Sequence, residues 1–184
     1  MKNIMPKIYV LDKEIEVSCR YYANEDINLI KPLISAIFTC VDNSSSSNQS
    51  HNIPFFMGKQ VTIYQQKTSL INWAMESCWN YIFLCDYVLA LSDEFSGRPA
   101  KVKNTRMMSF STWDWISRHV VQAKQLYASR FPDIPMTQIP QTYFYKKSKC
   151  IVNASRNEYR RRIWQYTMNW PNTPPYWINL KEND

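Results

Sequence analysis

Residues 68–97 read TSLINWAMESCWNYIFLCDYVLALSDEFSG and decide the fold. Thr68 or Ser69 can cap a helix here, and Gly97, followed by Pro99, is typical of a helix end. Apolar residues recur between these signals at alternating steps of three and four, which is the period of a helix: Ile71, Ala74, Cys78, Tyr81, Cys85 and Val88. The spacing predicts one long helix from Thr68 to about Ser96.

A second stripe on the same segment mixes apolar and polar residues. Its members are Trp73, Ser77, Asn80, Leu84, Tyr87, Leu91 and Glu94. A helix with two such stripes is buried on two sides, so we expect it to run through the middle of the fold. The sequence therefore predicts a mainly α, single-domain helical fold (residues 1–184) around a long central helix.

Polar residues on the central helix are candidates for chemistry. Glu76 and Asn80 are four residues apart and share a face, and Glu94, Arg98 and Lys101 follow. A desolvated carboxylate beside a cation suits acid/base catalysis, although a structural buried network has the same pattern. Glu76 and Glu94 are thus candidate catalytic residues, and Asn80, Arg98 and Lys101 are candidate binding residues. On one straight helix, the two glutamates would lie ~27 Å apart and could not form a paired site alone.

The other helices are predicted from proline positions and capping residues. A helix over residues 25–41 is expected to kink or restart at Pro32, because proline lacks the N–H donor. A third helix is expected over about residues 111–130, stopping at Pro132. A fourth is expected to start at the capping box Ser155-Arg156-Asn157-Glu158 and to end by Trp170.

The segments outside these helices have distinct patterns. Residues 7–11 and 14–18 flank an Asp-Lys step and favour a small N-terminal β-hairpin or short strands. Residues 42–52 are polar and of low complexity, so we expect a mobile loop. Residues 171–184 contain Pro174, Pro175 and Trp177, and we expect an extended C-terminal tail.

Composition excludes several function classes. Only Gly58 and Gly97 occur among the 184 residues, too few for a P-loop or a dinucleotide-binding turn. Five cysteines without a C-x-x-C pair and only two histidines argue against a disulfide framework and a metal site. We therefore expect no cofactor and no metal. We also expect no membrane span, because the most apolar run is short and carries Asp86.

Positive charge is concentrated late in the chain. The formal net charge is +7, and residues 144–170 hold seven Lys/Arg against the single acid Glu158. The candidate binding residues here are Lys146, Lys147, Lys149, Arg156, Arg160, Arg161, Arg162 and Trp164. Basic side chains attract phosphates and flat rings stack on bases, which favours nucleic acid. Two alternatives are a solvated helix face with the aromatics in the core, and a patch for an acidic protein partner.

Short motifs occur in order across most of the chain: Tyr9-Val10-Leu11-Asp12-Lys13, Trp73-Ala74-Met75-Glu76-Ser77 with Asn80-Tyr81, Glu94-Phe95 with Arg98 and Lys101, Gln138 and Pro140 before Tyr143, Tyr159-Arg160, and Pro175 with Trp177. Together they resemble those of a small, uncharacterised family of tailed bacteriophages and other DNA viruses. The length and the Asn-, Ser- and Lys-rich composition also resemble those of African swine fever virus proteins. This second resemblance implies expression in the host cytoplasm.

Two elements of the family pattern are replaced in this chain. Asn24-Glu25-Asp26 stands where the family has an Asp-Lys-His cluster, and Thr68-Ser69-Leu70 stands where it has His-Pro-Cys. The family residues that this chain lacks at these positions are the ones suited to acid/base, nucleophilic or metal chemistry. The resemblance thus implies an enzyme-like scaffold that has lost its reactive groups.

Three functions follow as hypotheses. The first is a non-catalytic viral accessory protein that binds a host protein, such as a signalling protein. The second is a nucleic-acid-binding protein that uses the basic aromatic segment. The third is an enzyme acting on a nucleotide or base, with Glu76 or Glu94 as the acid/base and Arg98 and Arg160 binding anionic groups.

Overall fold

The structure is a computed structural model that describes residues 7–44, 53–56, 58–65, 68–98, 108–140, 150–165, 168–170 and 174–179. Helices predominate in these ranges, so the mainly α prediction is confirmed. The α-helices are α1 (Ile15–Arg20), α2 (Ile30–Asn43), α3 (Ser69–Glu76), α4 (Cys78–Gly97), α5 (Phe110–Tyr127) and α6 (Ile151–Gln165). Short 3-10 helices cover Asn24–Leu29, Ala128–Arg130 and Tyr176–Asn179, and two short strands are β1 (Phe55–Phe56) and β2 (Lys59–Gln60).

The predicted long helix is two helices, α3 and α4, with a break at Ser77. Ser77 is extended, with φ −149° and ψ 144°, and its Oγ accepts a hydrogen bond from the Trp79 N–H. The same hydroxyl donates to the Ile134 carbonyl, and the Cys78 N–H donates to the Pro132 carbonyl at 2.9 Å. The segment at residues 132–134 therefore supplies hydrogen bonds that a continuous helix would have made internally. The apolar stripe continues through the break, so its period does not reveal it.

Helix α4 is the centre of the fold, as the two stripes predicted. It packs against α1, α2, α3 and α5. Tyr81, Cys85 and Val88 of the first stripe are fully buried, and Leu84, Tyr87 and Leu91 of the second stripe are fully buried as well. The predicted central position is thus confirmed for α4, although the predicted helix is interrupted at Ser77.

Short strands are present, but not at the predicted N-terminal position. Residues 7–11 form no strand, and α1 begins at Ile15 inside the second half of the expected hairpin. Side chains take the place of a partner strand, because the Tyr9 N–H donates to Tyr22 Oη and the Leu11 N–H donates to Ser18 Oγ, both at 2.8 Å. The strands β1 and β2 pair in an antiparallel hairpin with Gly58 at φ +76°, a left-handed conformation that favours glycine.

The other predicted boundaries are met to different degrees. Pro32 lies in the first turn of α2, directly after a 3-10 helix, so the predicted restart is confirmed. Helix α5 and the following 3-10 turn cover the predicted third helix and stop before Pro132. Helix α6 begins four residues earlier than predicted, and Ser155 is buried inside it, so the capping box was wrong. Burial of Val152 and Ala154 against the core extends the helix towards its N-terminus.

The core and the chain ends complete the fold. Buried apolar residues from Ile8 to Trp177 form one hydrophobic cluster. The predicted polar loop begins inside α2, at Asp42 and Asn43, and its residues 45–52 lie outside the described residues. In the predicted tail, residues 171–173 and 180–184 also lie outside them, and Tyr176–Asn179 is a 3-10 turn. In the described ranges, no helix combines the length and apolarity required to cross a bilayer.

Candidate functional site

Asn80 is a structural clamp across the break between α3 and α4. Its side chain is fully buried, and its Nδ2 donates to the Trp73 carbonyl at 2.7 Å and to Thr137 Oγ1 at 2.9 Å. Its Oδ1 accepts from the Thr137 N–H at 2.9 Å. Glu76 is exposed and accepts from Thr137 Oγ1 at 3.3 Å. All the polar atoms of Asn80 are thus used to hold residues 132–140 on the helices.

Arg98 and Glu94 form an ion pair at the end of α4. The guanidinium is 2% exposed, and its Nε lies 3.0 Å from Glu94 Oε1. Its other nitrogens donate to Asn24 Oδ1 at 3.1 Å and to the Tyr22 carbonyl at 2.8 Å, and it stacks on the Phe95 ring. Arg98 therefore joins α4 to the segment before the first 3-10 helix and has few donors left for a ligand. Lys101, the remaining candidate of this cluster, lies outside the described residues.

Two of the predicted basic residues on α6 hold other segments of the chain in place. Arg156 donates to the Leu11 carbonyl at 2.8 Å and to Asp12 at 3.1 Å. Arg160 is buried and donates to the Trp177 carbonyl at 2.9 Å. These contacts fasten the N-terminal segment and the C-terminal 3-10 turn to α6.

Apart from Arg162, the remaining predicted residues of the basic segment divide into two groups. Arg161 is exposed on α6. Four predictions fall where the structure describes no side chain: Lys146, Lys147, Lys149 and Trp164. Among the described residues, the expected continuous basic surface on α6 is therefore reduced, because Arg156, Arg160 and Arg162 turn towards protein atoms.

Arg162 belongs to a buried network around Asp26 that the sequence did not reveal. Asp26 is fully buried, and its carboxylate accepts from Arg162 Nη1, from the Tyr159 hydroxyl and from the Ala23 N–H. Burial raises the pKa of Asp26 above its usual range, and the positive charge of Arg162 opposes this effect. In the sequence, Asp26 stood out only as part of the replaced Asn24-Glu25-Asp26 element. This network is an anchor between α6 and the 3-10 helix at Asn24–Leu29.

The described residues leave one face of α4 partly uncovered, and two cavities lie along it. The cavities measure about 620 and 640 Å³ and share Ile15 and Asp86, so we treat them as one groove, named the α4 groove. The α4 residues that line it recur at steps of one, three and four, as one helical face does: Trp79, Ile82, Phe83, Asp86, Leu89, Ala90, Asp93, Glu94 and Gly97. Helix α1 forms one wall, and residues 133–136 form a second wall near Trp79.

The two ends of the α4 groove differ in chemistry. The end near Trp79 is apolar, with Trp79 52%, Ile134 46% and Met136 45% exposed. The other end is polar and holds acids on both α1 and α4. Asp86 pairs with Lys124 and Glu94 pairs with Arg98. Outside these two ion pairs, three acids of the lining stand against Arg20: Glu16, Asp93 and Asp133. The groove is thus acidic on a chain whose net charge is +7.

The predicted site residues do not converge. Glu94 and Arg98 line the α4 groove, whereas Glu76 and Asn80 contact Thr137 and Arg160 contacts Trp177. The groove was not predicted from the sequence. Its signal was a third apolar face on the central helix, made by Trp79, Ile82 and Phe83 in addition to the two buried stripes. In the described part of the chain, no group of three or more His, Cys, Asp or Glu side chains is placed to hold a metal ion.

Comparisons with protein-family models, with curated proteins and with solved structures found no match for this chain.

Proposed function

We propose that this chain is a non-catalytic viral accessory protein that binds a host protein partner in the α4 groove. The observation that carries the proposal is the exposure of Trp79 on the central helix and of Ile134 and Met136 beside it, at one end of the groove. Contiguous apolar surface that stays open to water is typical of interaction sites. The viral and host parts of the proposal rest on the motif resemblance and on the replaced reactive residues at positions 24–26 and 68–70.

The intrachain contacts support binding over catalysis. An acid/base site needs a carboxylate within reach of a substrate and groups that converge on it. Glu76 is exposed at the break between α3 and α4, and Glu94 is neutralised by a guanidinium that three other protein groups also hold in place. These contacts stabilise the scaffold and provide no open reactive pair.

Nucleic-acid binding receives less support from the same contacts. Phosphate recognition requires cations that face solvent. Arg156, Arg160 and Arg162 donate to protein acceptors, and the α4 groove is acidic and would repel phosphates. Arg161 is exposed and is the residue of α6 that best tests this alternative.

Site-specific photo-crosslinking in host-cell extract tests the proposal. A photoreactive amino acid replaces Met136, which is 45% exposed in the groove, and in a matched control it replaces Leu126, which is 55% exposed on α5 outside the groove. We expect a discrete adduct from position 136 that is absent from position 126 and that Ile134→Ser removes. Equal adducts from both positions, or none from position 136, would contradict the proposal.

A further inference from the structure

We infer that the partner of the α4 groove is a short, basic, amphipathic protein segment with bulky apolar side chains at one end. This inference rests on the proposed function and adds the chemistry of the occupant. It follows from the length of the groove, from its apolar end and from its charge.

The length of the groove selects the size of the segment. The lining residues on α4 extend from Trp79 to Gly97, which corresponds to ~27 Å at 1.5 Å of rise per residue. An occupant that lies along this face needs about 18 residues if it is helical, or about eight if it is extended. Amphipathic helices that bind in apolar grooves follow the same geometry, with anchors on one face.

The apolar end selects bulky anchors. Ile82 and Phe83 form its floor, and Trp79, Ile134 and Met136 stand around it with about half of each side chain open to water. An apolar side chain that enters here contacts all three of these exposed side chains at once. Central apolar anchors of this kind carry most of the affinity in protein interfaces. Methionine in the wall adapts to anchors of different shape.

The charge of the groove selects lysine or arginine around those anchors. Two acids of the lining are neutralised within the chain, Glu94 by Arg98 and Asp86 by Lys124. The other three are Glu16 on α1, Asp93 on α4 and Asp133 beside Trp79, so negative charge follows the groove along its length and exceeds the single charge of Arg20. The remainder of the chain is basic and repels a cationic segment, which restricts such a segment to the groove. An acidic or phosphorylated segment would meet repulsion on both walls.

Binding of two designed peptides to the full chain tests this inference. The first is a fluorescein-labelled 18-residue amphipathic peptide with Leu on one face and Lys on the other, and the second has Glu in place of every Lys. We expect the Lys peptide to bind at least about tenfold more tightly, and its affinity to fall as salt rises, because close charge pairs contribute to recognition.

Two groove variants separate charge from apolar contact. Glu16→Lys with Asp93→Asn makes the rim more positive, and the Asn retains an acceptor for the Trp113 indole N–H that Asp93 now holds. Ile134→Ser removes an anchor contact. We expect either change to weaken binding of the Lys peptide about tenfold. Asp42→Lys and Leu126→Ser make matched changes outside the groove and should leave the affinity unchanged, and far-UV circular dichroism confirms that each variant is folded.

The possible failures are distinguishable. If Ile134→Ser weakens both peptides equally and the rim variant changes nothing, the inferred charge of the partner is wrong while the groove remains the docking site. If no groove variant changes the affinity, the Lys peptide binds elsewhere and the inference is overturned, whereas the proposed function is still decided by crosslinking at position 136. If the chain alone forms a dimer that Ile134→Ser abolishes, the occupant is a second copy and the inference is also overturned.

Discussion

Replacement of Arg162 by methionine should destabilise the fold by an amount that grows with pH. Arg162 is the cation beside the fully buried Asp26, and its side chain is 25% exposed. Removal of one member of a buried ion pair typically costs about 3–5 kcal/mol, and the partial exposure of Arg162 places the expected loss near about 2–3 kcal/mol at pH 7. Methionine retains apolar contact with the Tyr9 and Tyr159 rings, over which the guanidinium now lies.

The sign of the pH dependence follows from the pKa of Asp26. Burial raises this pKa in the folded state above its usual value of 3.8, so the folded state holds more protons than the unfolded state just above pH 3.8. The free energy of unfolding therefore falls as the pH rises from there through the folded-state pKa. Loss of Arg162 raises that pKa further, which widens the window and adds at most about 1.4 kcal/mol per pH unit.

Urea titrations of the wild type and of Arg162→Met at pH 4.5 and pH 7, followed by far-UV circular dichroism, measure the effect. We expect a smaller difference at pH 4.5 than at pH 7, and at pH 7 the melting temperature should also fall by about 5–10 °C. The control is Arg118→Met, because Arg118 is 71% exposed and pairs with Asp114 on the surface of α5, so its loss should stay within about 0.5 kcal/mol. An equal loss for Arg162→Met at both pH values would refute the reasoning.

Three further predictions concern residues that the sequence marked as candidate site residues. Asn80→Ala should lower the free energy of unfolding by about 2–3 kcal/mol, because the Thr137 N–H and the Trp73 carbonyl lose their buried partner. Glu76→Gln should change the free energy of unfolding by less than about 0.5 kcal/mol, because Glu76 is exposed. Urea titration measures both variants. Arg98→Met should lower the free energy of unfolding by about 3 kcal/mol in the same assay, since two buried acceptors and the partly exposed Glu94 carboxylate lose a charged donor. A loss below about 1 kcal/mol would contradict the structural role. Arg161→Glu should leave binding of the chain to single-stranded DNA unchanged, and a marked loss of affinity for single-stranded DNA in this variant would favour the nucleic-acid alternative.

The candidate residues were chosen by type and spacing, and the structure separates them by partner. Glu94 and Arg98 were expected together and do form an ion pair on the edge of the α4 groove. Glu76 and Asn80 also share a neighbour, Thr137, but that neighbour comes from a segment 57 residues away from Asn80 and makes the pair structural. Spacing on a helix defines which residues share a face, and it contains no information about which distant segment covers that face.

The basic segment illustrates the same limit for charge. Seven cations in 27 residues predict an electropositive surface only if their side chains reach solvent. Arg156 and Arg160 instead donate hydrogen bonds to the backbone carbonyls of Leu11 and Trp177. Backbone carbonyls in the interior require such donors. Arginine is suited to this function because its planar group presents several donors at once.

The sequence by itself determined the helical class, the two buried faces of the central helix and the start of α2 just before Pro32, because hydrophobic period, capping residues and proline act locally. Tertiary structure alone decided the break at Ser77, the absence of an N-terminal hairpin, the inward turn of the arginines and the open face of α4. Each of these depends on hydrogen bonds or coverage supplied by residues far away in the chain. The free energy of a buried polar group depends on whether a partner reaches it, and the local pattern does not contain that partner.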